Sequence, residues 1–477
     1  MQAWMSGFNA YYRIAAWSML LVLACVIQAE ELPRMPSGPD GPGRFGAYYT
    51  TLRYEEAWDA SWRIGPHADV VVRFDTGSHK FVFWRGTSYI PCWVTGTGIW
   101  YTNAFVERSG KDSPNTQGCC EPMSDKQCRY SHVRIIENTD ARAVIHWRYA
   151  PVDVGYNHPF TDPNTGWSDW VDEYYYLYPD AVGVRSITVH TSAPDKWMEW
   201  HEAIVLNQPG TMPEDNIELA AVSLANLKGE DQTFTWTPQG PPPFSTPPEN
   251  ATILKINIKA AQSPFAIIPS SPEANGLVVT PFRGHGKGSC FNFWDHWPVS
   301  TDASDGRLAE SARRPSHSSL VHMAHQRDDL WNFHSKDRNR RTKIMLHGMT
   351  HLDVAALVPL AKSWENAAPL TVDSAGYNTE CYDPAERAYH VTRTQNETAM
   401  PLILRLLADE GHPLLNPAFV IQNWGGHGVV LQRDGHQVER GSAFRFGHRH
   451  TQTSTDLIVW LDIESTAATT LIFRPEE

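Results

Sequence analysis

The sequence predicts a mostly β protein, a large antiparallel β-sandwich with long loops and few short helices. Three observations carry that expectation. Aromatic residues make up 11% of the 477 residues, including 19 Trp and 17 Tyr, side chains that pleated sheets favour. The 34 Pro and 32 Gly supply turns in number. Short runs of alternating polarity recur between those turn residues along most of the chain. With 42% hydrophobic and only 19% charged residues, the chain is neither disordered nor a coiled coil. A formal net charge of −13 lacks the broad basic field of a nucleic-acid binder, so no nucleic-acid partner is expected.

The chain opens with an address. Residues 1–29 hold one charged side chain, Arg13, followed by an apolar run from Ile14 to Ile27 interrupted only by Ser18. The run is shorter than the ~20 residues of a spanning helix, and Ile27-Gln28-Ala29 offers a small-residue cleavage site, so 1–29 reads as a signal peptide. Val22-Leu23-Ala24-Cys25 also fits a loose lipobox, which would attach the protein to an outer membrane through Cys25; otherwise a secreted or periplasmic protein is expected. Residues 30–46 are a Pro- and Gly-rich leader.

From 47 to 236 the pattern is one strand after another. His67–Phe74, Lys80–Trp84 and Ile99–Phe105 come first, separated by Gly77-Ser78 and Gly96-Thr97-Gly98. Arg129–Glu137 and Arg142–Ala150 flank the polar turn Asn138-Thr139-Asp140 and read as a hairpin. Glu173–Tyr178, Gly183–His190 and Trp197–Asn207 close this first block. Residues 237–250 read as a Pro-rich linker or surface loop, and 251–477 as a second β-rich block. In that block Leu352–Leu360 suits a short strand or a helix, and Pro401–Asp409 is the best helix candidate, with Gly411 as its stop. No fixed-period repeat occurs, which argues against a propeller. Two packed sandwich blocks fit better, and a supersandwich of the mutarotase-like kind is one such arrangement.

Six cysteines remain beyond Cys25, and an exported protein would be expected to pair some of them. Cys119, Cys120 and Cys128 lie in one loop, so at least one local disulfide bond is expected there. Their Cys-Cys-x7-Cys spacing does not suit zinc. Asn250-Ala-Thr and Asn396-Glu-Thr are glycosylation triplets that act only in a host with that machinery.

Three places gather chemistry. On the hairpin, alternation puts Tyr130, His132 and Arg134 on one strand face and His146 and Arg148 on the facing strand. A turn pairing residues whose numbers sum to about 278 would set His132 opposite His146. That face is either a solvent side or a cleft for a sugar acid, in which Arg134 and Arg148 neutralise a carboxylate and His132, His146 and Tyr130 move protons. Tyr174 and Tyr176 share a face, suited to stacking sugars or to filling the core. Next, His201 and Asn207 fall on one face of their strand, with Glu202 on the other, and would enter one cleft, Asn207 to bind substrate and His201 as a catalytic group or else a buried core histidine. Finally, Trp294-Asp295-His296-Trp297-Pro298, Ser304-Asp305-Gly306-Arg307 and Arg314 to Ser319 form a polar stretch without a hydrophobic period. It offers His296, Trp297, Arg307 and His317 to a substrate. Glu202, Asp295, Asp302 and Asp305 are the carboxylates a hydrolase would draw on. No cofactor is expected; a divalent metal stays open through His322-x-x-His325 and His347-x3-His351, although no acid completes a known motif. The nucleophile-elbow, P-loop and dinucleotide fingerprints are absent.

Phe83-Trp84-Arg85-Gly86-Thr87-Ser88-Tyr89, the stretch Glu121 to Cys128, His296-Trp297-Pro298 and Asp305-Gly306-Arg307 resemble secreted proteins of polysaccharide-degrading marine bacteria. Some of these are ulvan-lyase-type polysaccharide lyases. The resemblance implies β-elimination on a uronate-containing polymer, and so an acidic polysaccharide as partner; the alternatives are a glycoside hydrolase and a non-catalytic carbohydrate-binding protein. The propeller-type ulvan lyases fit poorly, since no blade repeat is present.

Overall fold

A computed structural model describes residues 32–476 except 37, 39, 63–66, 110–112, 114, 197, 200, 244–245, 271–276, 278, 283–288, 295–296, 300–313, 323–334 and 395–399. The signal peptide, Cys25, His296, Arg307, His325 and the Asn396 triplet lie outside the described residues, as do Asp295, Asp302 and Asp305.

The strands of the first sandwich, in chain order, are β1 (Gly46–Thr50), β2 (Asp69–Arg73), β3 (Lys80–Phe83), β4 (Pro91–Val94), β5 (Trp100–Thr102), β6 (Glu107–Ser109) and β7 (Cys119–Cys120). They continue with β8 (Ser131–Asn138), β9 (Ala143–Tyr149), β10 (Trp170–Leu177), β11 (Val182–His190), β12 (Met198–Glu199), β13 (Glu202–Asn207) and β14 (Ile217–Ala225). Last come β15 (Asp231–Phe234), β16 (Ile253–Ile258), β17 (Ser263–Ile267), β18 (Thr280–Pro281), β19 (Ser316–His322), β20 (Ser335–Asp337) and β21 (Arg340–Thr350). An eight-stranded first sheet runs β1-β2-β3-β4-β5-β13-β19-β18. A ten-stranded second sheet runs β15-β14-β16-β17-β21-β11-β10-β9-β8, with β20 also on β21. A small sheet, β12-β6-β7, stands beside them. The large antiparallel sandwich expected from the sequence is present.

Two further five-stranded sheets, built from segments between Leu370 and Glu476, make a second sandwich. Leu402, Leu404, Leu406, Phe419, Leu457, Leu471 and Phe473 are buried in its own core. Among the described strands only Ala388–Arg393 and Ala418–Gln422 pair in parallel. The Pro-rich stretch 237–250 lies between strands of one sheet, because β14 pairs with β16 across it. Strands up to Thr350 complete the first sandwich, and the second sandwich begins only near 370.

The expected helix at Pro401–Asp409 is instead a strand, Leu402–Leu406, whose Leu402, Leu404 and Leu406 are buried while Arg405 is exposed. Period two on a buried sheet prevailed over the helix propensity of Leu. Leu352–Leu360 resolves as a helical turn at Val354–Leu357 leading into a helix, Val358–Glu365. The hairpin register is shifted by two from the expectation: His132 faces Arg148 and Arg134 faces His146, with a bulge between Ile135 and Glu137. The expected local disulfide is absent, since none of Cys92, Cys119, Cys120, Cys128, Cys290 and Cys381 is bridged. Cys128 instead aims its thiol at the Arg85 carbonyl, 3.6 Å away.

The outer face of the second sheet divides in two. Near one end Val182, Val184, Ile344 and Leu346 pack under Leu360 and Trp364 of the helix, and Tyr178 packs against Ala388, Val420 and Trp460 of the second sandwich. Further along the same strands, the residues on that face become Ser186, Thr188 and His190 on β11 and Arg340 and Thr342 on β21. Among the described residues the face is apolar where it is covered and polar where it is not.

Candidate active-site cleft

Strand alternation separates His201 from Glu202. His201 points towards the second sheet, where Arg185, Lys343 and His347 surround it and it is 2% exposed. Burial, followed by those like charges, drives its basicity well below the usual imidazole value. Asn207 also faces inwards and donates to Ser316 and Ser318 at 3.2 Å. Both were expected in a catalytic cleft, and both are buried in the sandwich. Every residue of β13 is buried, on its cleft side as on its inner side, so the strand carried no contrast to reveal its orientation.

Glu202 and Ile204 point the other way, into a cleft of about 280 Å³ on the outer side of the first sheet. The neighbouring β19 adds His317, Ser319 and His322. A bulge opposite Ala203 and Ile204 keeps Ser319 and His322 on the same side. The small sheet contributes Glu107 and Cys119, followed by Glu121 and Met123, while Phe105, Phe282 and Trp294 supply apolar walls. The cleft therefore joins aromatic surface to three carboxylates and two imidazoles.

His317 is held from several sides. Its main chain exchanges two hydrogen bonds with Trp294, 2.9 and 3.1 Å, and the Trp297 ring meets it edge-on with centroids 5.5 Å apart. His317 Nδ1 lies 3.0 Å from the Trp297 carbonyl oxygen. A carbonyl only accepts, so Nδ1 carries the proton and Nε2 carries the lone pair of the neutral ring. That tautomer suits a base or a metal ligand. His322 lies against Phe282, centroids 4.1 Å apart. Of the expected substrate residues, His317 thus lines the cleft and Trp297 braces it. Glu107 and Glu121, isolated single glutamates in the sequence, gave no signal of their own.

The hairpin residues gather elsewhere, on the uncovered polar face of the second sheet. Across four strands His132, Arg148, Asp172 and Thr188 stand in one row, and Arg134, His146, Tyr174 and Ser186 in the next. Asp172 is the hub: His146 Nε2 lies 2.7 Å from it, His190 Nε2 3.1 Å and Arg148 Nη1 3.3 Å. Burial alone would raise the Asp172 carboxyl, but hydrogen bonds from the two imidazoles and the Arg148 charge hold it well below its usual range. Arg134 Nε donates to His146 Nδ1 at 3.1 Å. Both ring nitrogens of His146 are therefore engaged, and Tyr174 stacks on it at 4.5 Å. Tyr130 lies edge-on to His158, 4.6 Å between centroids. His132 is exposed, and burial of part of its ring, His67 and Arg148 lower its basicity.

For a metal, Asp383, Glu386 and His390 place one donor atom each within 4.8 Å of one another. Glu386 already accepts from Arg142 Nη1 at 2.7 Å, which sets a cation beside that position.

No known family profile matches the chain, and no curated protein matches it. Solved structures similar to it include a galactose 1-epimerase from Lactobacillus acidophilus NCFM, at 10% identity and a TM-score of 0.29 over 64% of this chain and 98% of that one. An α-mannosidase from Enterococcus faecalis V583 gives 9% identity and a TM-score of 0.32, covering 82% of this chain and 42% of the mannosidase. A GalM/aldose epimerase homologue from C. elegans gives 8% identity and a TM-score of 0.28 over 59% of this chain and 98% of that one.

Proposed function

We propose that this protein is a carbohydrate-active enzyme that cleaves a glycan by acid–base chemistry in the cleft of the first sheet. The observation that carries the reading is one wall holding Glu202, His317 and His322, with Glu107 and Glu121 contributed by the small sheet and Trp294 supplying an aromatic surface. Sugars bind such mixed surfaces by stacking apolar ring faces on aromatics and hydrogen-bonding their hydroxyls to carboxylates. Glycosidic bonds break when one group protonates the leaving oxygen while another activates water or removes a proton. Glu202 with Glu107 and Glu121 supplies the carboxylates on which hydrolysis draws.

A second reading is β-elimination on a uronate polymer, the reaction implied by the sequence resemblance. It is favoured by the outer hairpin face, where His132 is an exposed imidazole of lowered basicity beside Arg148. A base and a cation that neutralises the uronate carboxylate are what elimination requires.

The test is turnover of a polymer panel, reading reducing ends and absorbance near 235 nm, where unsaturated uronates absorb. Glu202→Gln and His317→Ala should each lose roughly a hundredfold or more in rate while remaining folded, the range expected for a lost acid–base group. New reducing ends without absorbance mean hydrolysis. Absorbance that disappears in His132→Ala and survives both cleft variants would move the reaction to the hairpin face. Full activity in both cleft variants overturns the assignment.

A further inference from the structure

We infer that the uncovered face of β8–β11 and β21 is a second binding site, which holds a segment of an acidic glycan away from the cleft. The inference rests on the proposed function only for the chemical class of the ligand. Three rows of side chains build the face: Trp170, His190 and Arg340; His132, Arg148, Asp172, Thr188 and Thr342; then Arg134, His146, Tyr174 and Ser186. Alternation along β10 fixes the direction, since Trp170, Asp172 and Tyr174 are partly exposed while Val171, Glu173 and Tyr175 are buried.

The charge is segregated. The chain as a whole carries −13, yet this face presents Arg134, Arg148 and Arg340 against Asp172, whose charge His146, His190 and Arg148 already share. Arg340 is paired with Asp337 at 2.6 Å, which leaves Arg134 and Arg148 as the cations that a ligand meets. Arg134 is exposed and uses only its Nε, on His146, so both terminal amino groups of the guanidinium remain for a planar anion. Arg148 is 42% exposed and lies over the Trp170 ring at 5.0 Å. Arginine on an aromatic, with the Thr188 and Ser186 hydroxyls one strand further along the face, offers a carboxylate or sulfate a charged fork, a sugar ring a stacking surface and its hydroxyls further partners. A neutral glycan would not need the arginines, and a protein partner would be expected to find an apolar centre that this face lacks.

The face and the cleft lie on opposite sides of the sandwich. Residues 121–130 lead around one edge from Glu121 and Met123 in the cleft to Tyr130 beside β8. A long polymer can therefore be held at the face while another stretch occupies the cleft, which raises the local concentration of scissile bonds.

The test is equilibrium binding of polygalacturonate and chondroitin sulfate, with dextran as the neutral control, using Glu202→Gln protein so that cleavage does not intervene. Both anionic polymers should bind, dextran should not, and affinity should fall as salt rises. Arg134→Ala/Arg148→Ala should weaken binding about tenfold or more, on the scale of lost charge-assisted hydrogen bonds. Thr188→Glu, which keeps both arginines and adds an anion directly across from Asp172, should weaken it in the same direction, and covers the event that the double variant misfolds. Binding unchanged in both variants, or equal for dextran, overturns the site. Binding that behaves as expected in a protein that cleaves no polymer would retain the site and overturn the enzymatic reading.

Discussion

His347 sits where a positive charge is least tolerated. It is 1% exposed, accepts a 2.9 Å hydrogen bond from Trp93 Nε1 on Nδ1, and its Nε2 has no partner among the described residues. Burial, then the Arg185 charge, pulls its pKa down to about 3. The unfolded chain protonates the same ring near its ordinary value, so the unfolded state binds the extra proton first as pH falls. Stability from the neutral ring is complete above the unfolded pKa and is lost towards the folded one, amounting to about 2 kcal/mol between pH 7 and pH 5. His347→Gln keeps an acceptor for Trp93 and cannot titrate. Urea unfolding at the two pH values should show its stability falling by about 2 kcal/mol less than that of the parent; equal losses would mean that the ring charges freely in the native state. Asp169 works in the opposite sense, since burial raises it to about 6 despite Arg108, and the comparison between variants cancels that contribution. Legibility at this scale was uneven. His317 could be found because it ends a polar stretch with no packing period. Asp172 was harder, because Glu173 beside it is a second carboxylate of the opposite orientation. Glu173 is buried and paired with Arg185 at 2.7 Å, while Asp172 takes the outer side.

At the scale of elements, two glycines allow the centre of the second sheet to close. Gly348 on β21 stands opposite Val182 and Phe265. A Cβ there would meet the Ala181 carbonyl oxygen at 2.5 Å and the Phe265 ring at 2.8 Å. Gly183 on β11 is confined in the same way, with the Tyr176 carbonyl oxygen 2.8 Å from such an atom. Gly348→Ala should therefore destabilise the protein by about 1–3 kcal/mol, the usual penalty of overpacking, read as a lower urea midpoint with an unchanged slope. An unaffected midpoint would show that the Phe265 ring swings aside without loss. The strand sequence of the first block was readable because each turn carries Gly, Pro or Asn-Asp chemistry and each strand alternates. The hairpin register was not, because the turn spans four residues, Thr139 to Arg142, between the paired Asn138 and Ala143, and a bulge between Ile135 and Glu137 takes back only one step of that offset. Leu402–Leu406 misled for a different reason: its leucines satisfy a helix by composition and a strand by spacing, and only the partner strand Thr469–Glu476 decides between them.

For the whole molecule, the question is what couples the two sandwiches. Arg142 is fully buried at the end of the β8–β9 hairpin and is bonded to Glu137 at 2.8 Å within the first sandwich and to Glu386 at 2.7 Å from the second. Arg387 reaches back to Asp180 at 2.9 Å, and Asn416 joins that carboxylate at 3.1 Å. Beside these polar ties lie two apolar contacts: Ala141 and Tyr178 against Ala388, Ala418, Val420, Ile458 and Trp460, and Val182, Val184, Ile344 and Leu346 under Leu360 and Trp364, with Tyr382, Ala385 and Leu415 packed against that cluster. The sequence could not show this junction, because its partners are more than two hundred residues apart and each looks like an ordinary surface charge. Removing Arg142 takes the shared cation from Glu137 and Glu386, leaving Arg449 at 4.0 Å from the first and His390 at 3.7 Å from the second; the loss of a buried ion-pair partner is worth up to about 3–5 kcal/mol. Arg142→Ala should thus unfold in two calorimetric steps, with the second sandwich separating from the first, where the parent gives one. The paired variant Arg142→Met/Glu386→Gln removes both charges at the junction and should recover much of the lost stability. A single transition at the parent midpoint in Arg142→Ala would assign the coupling to the apolar contacts instead.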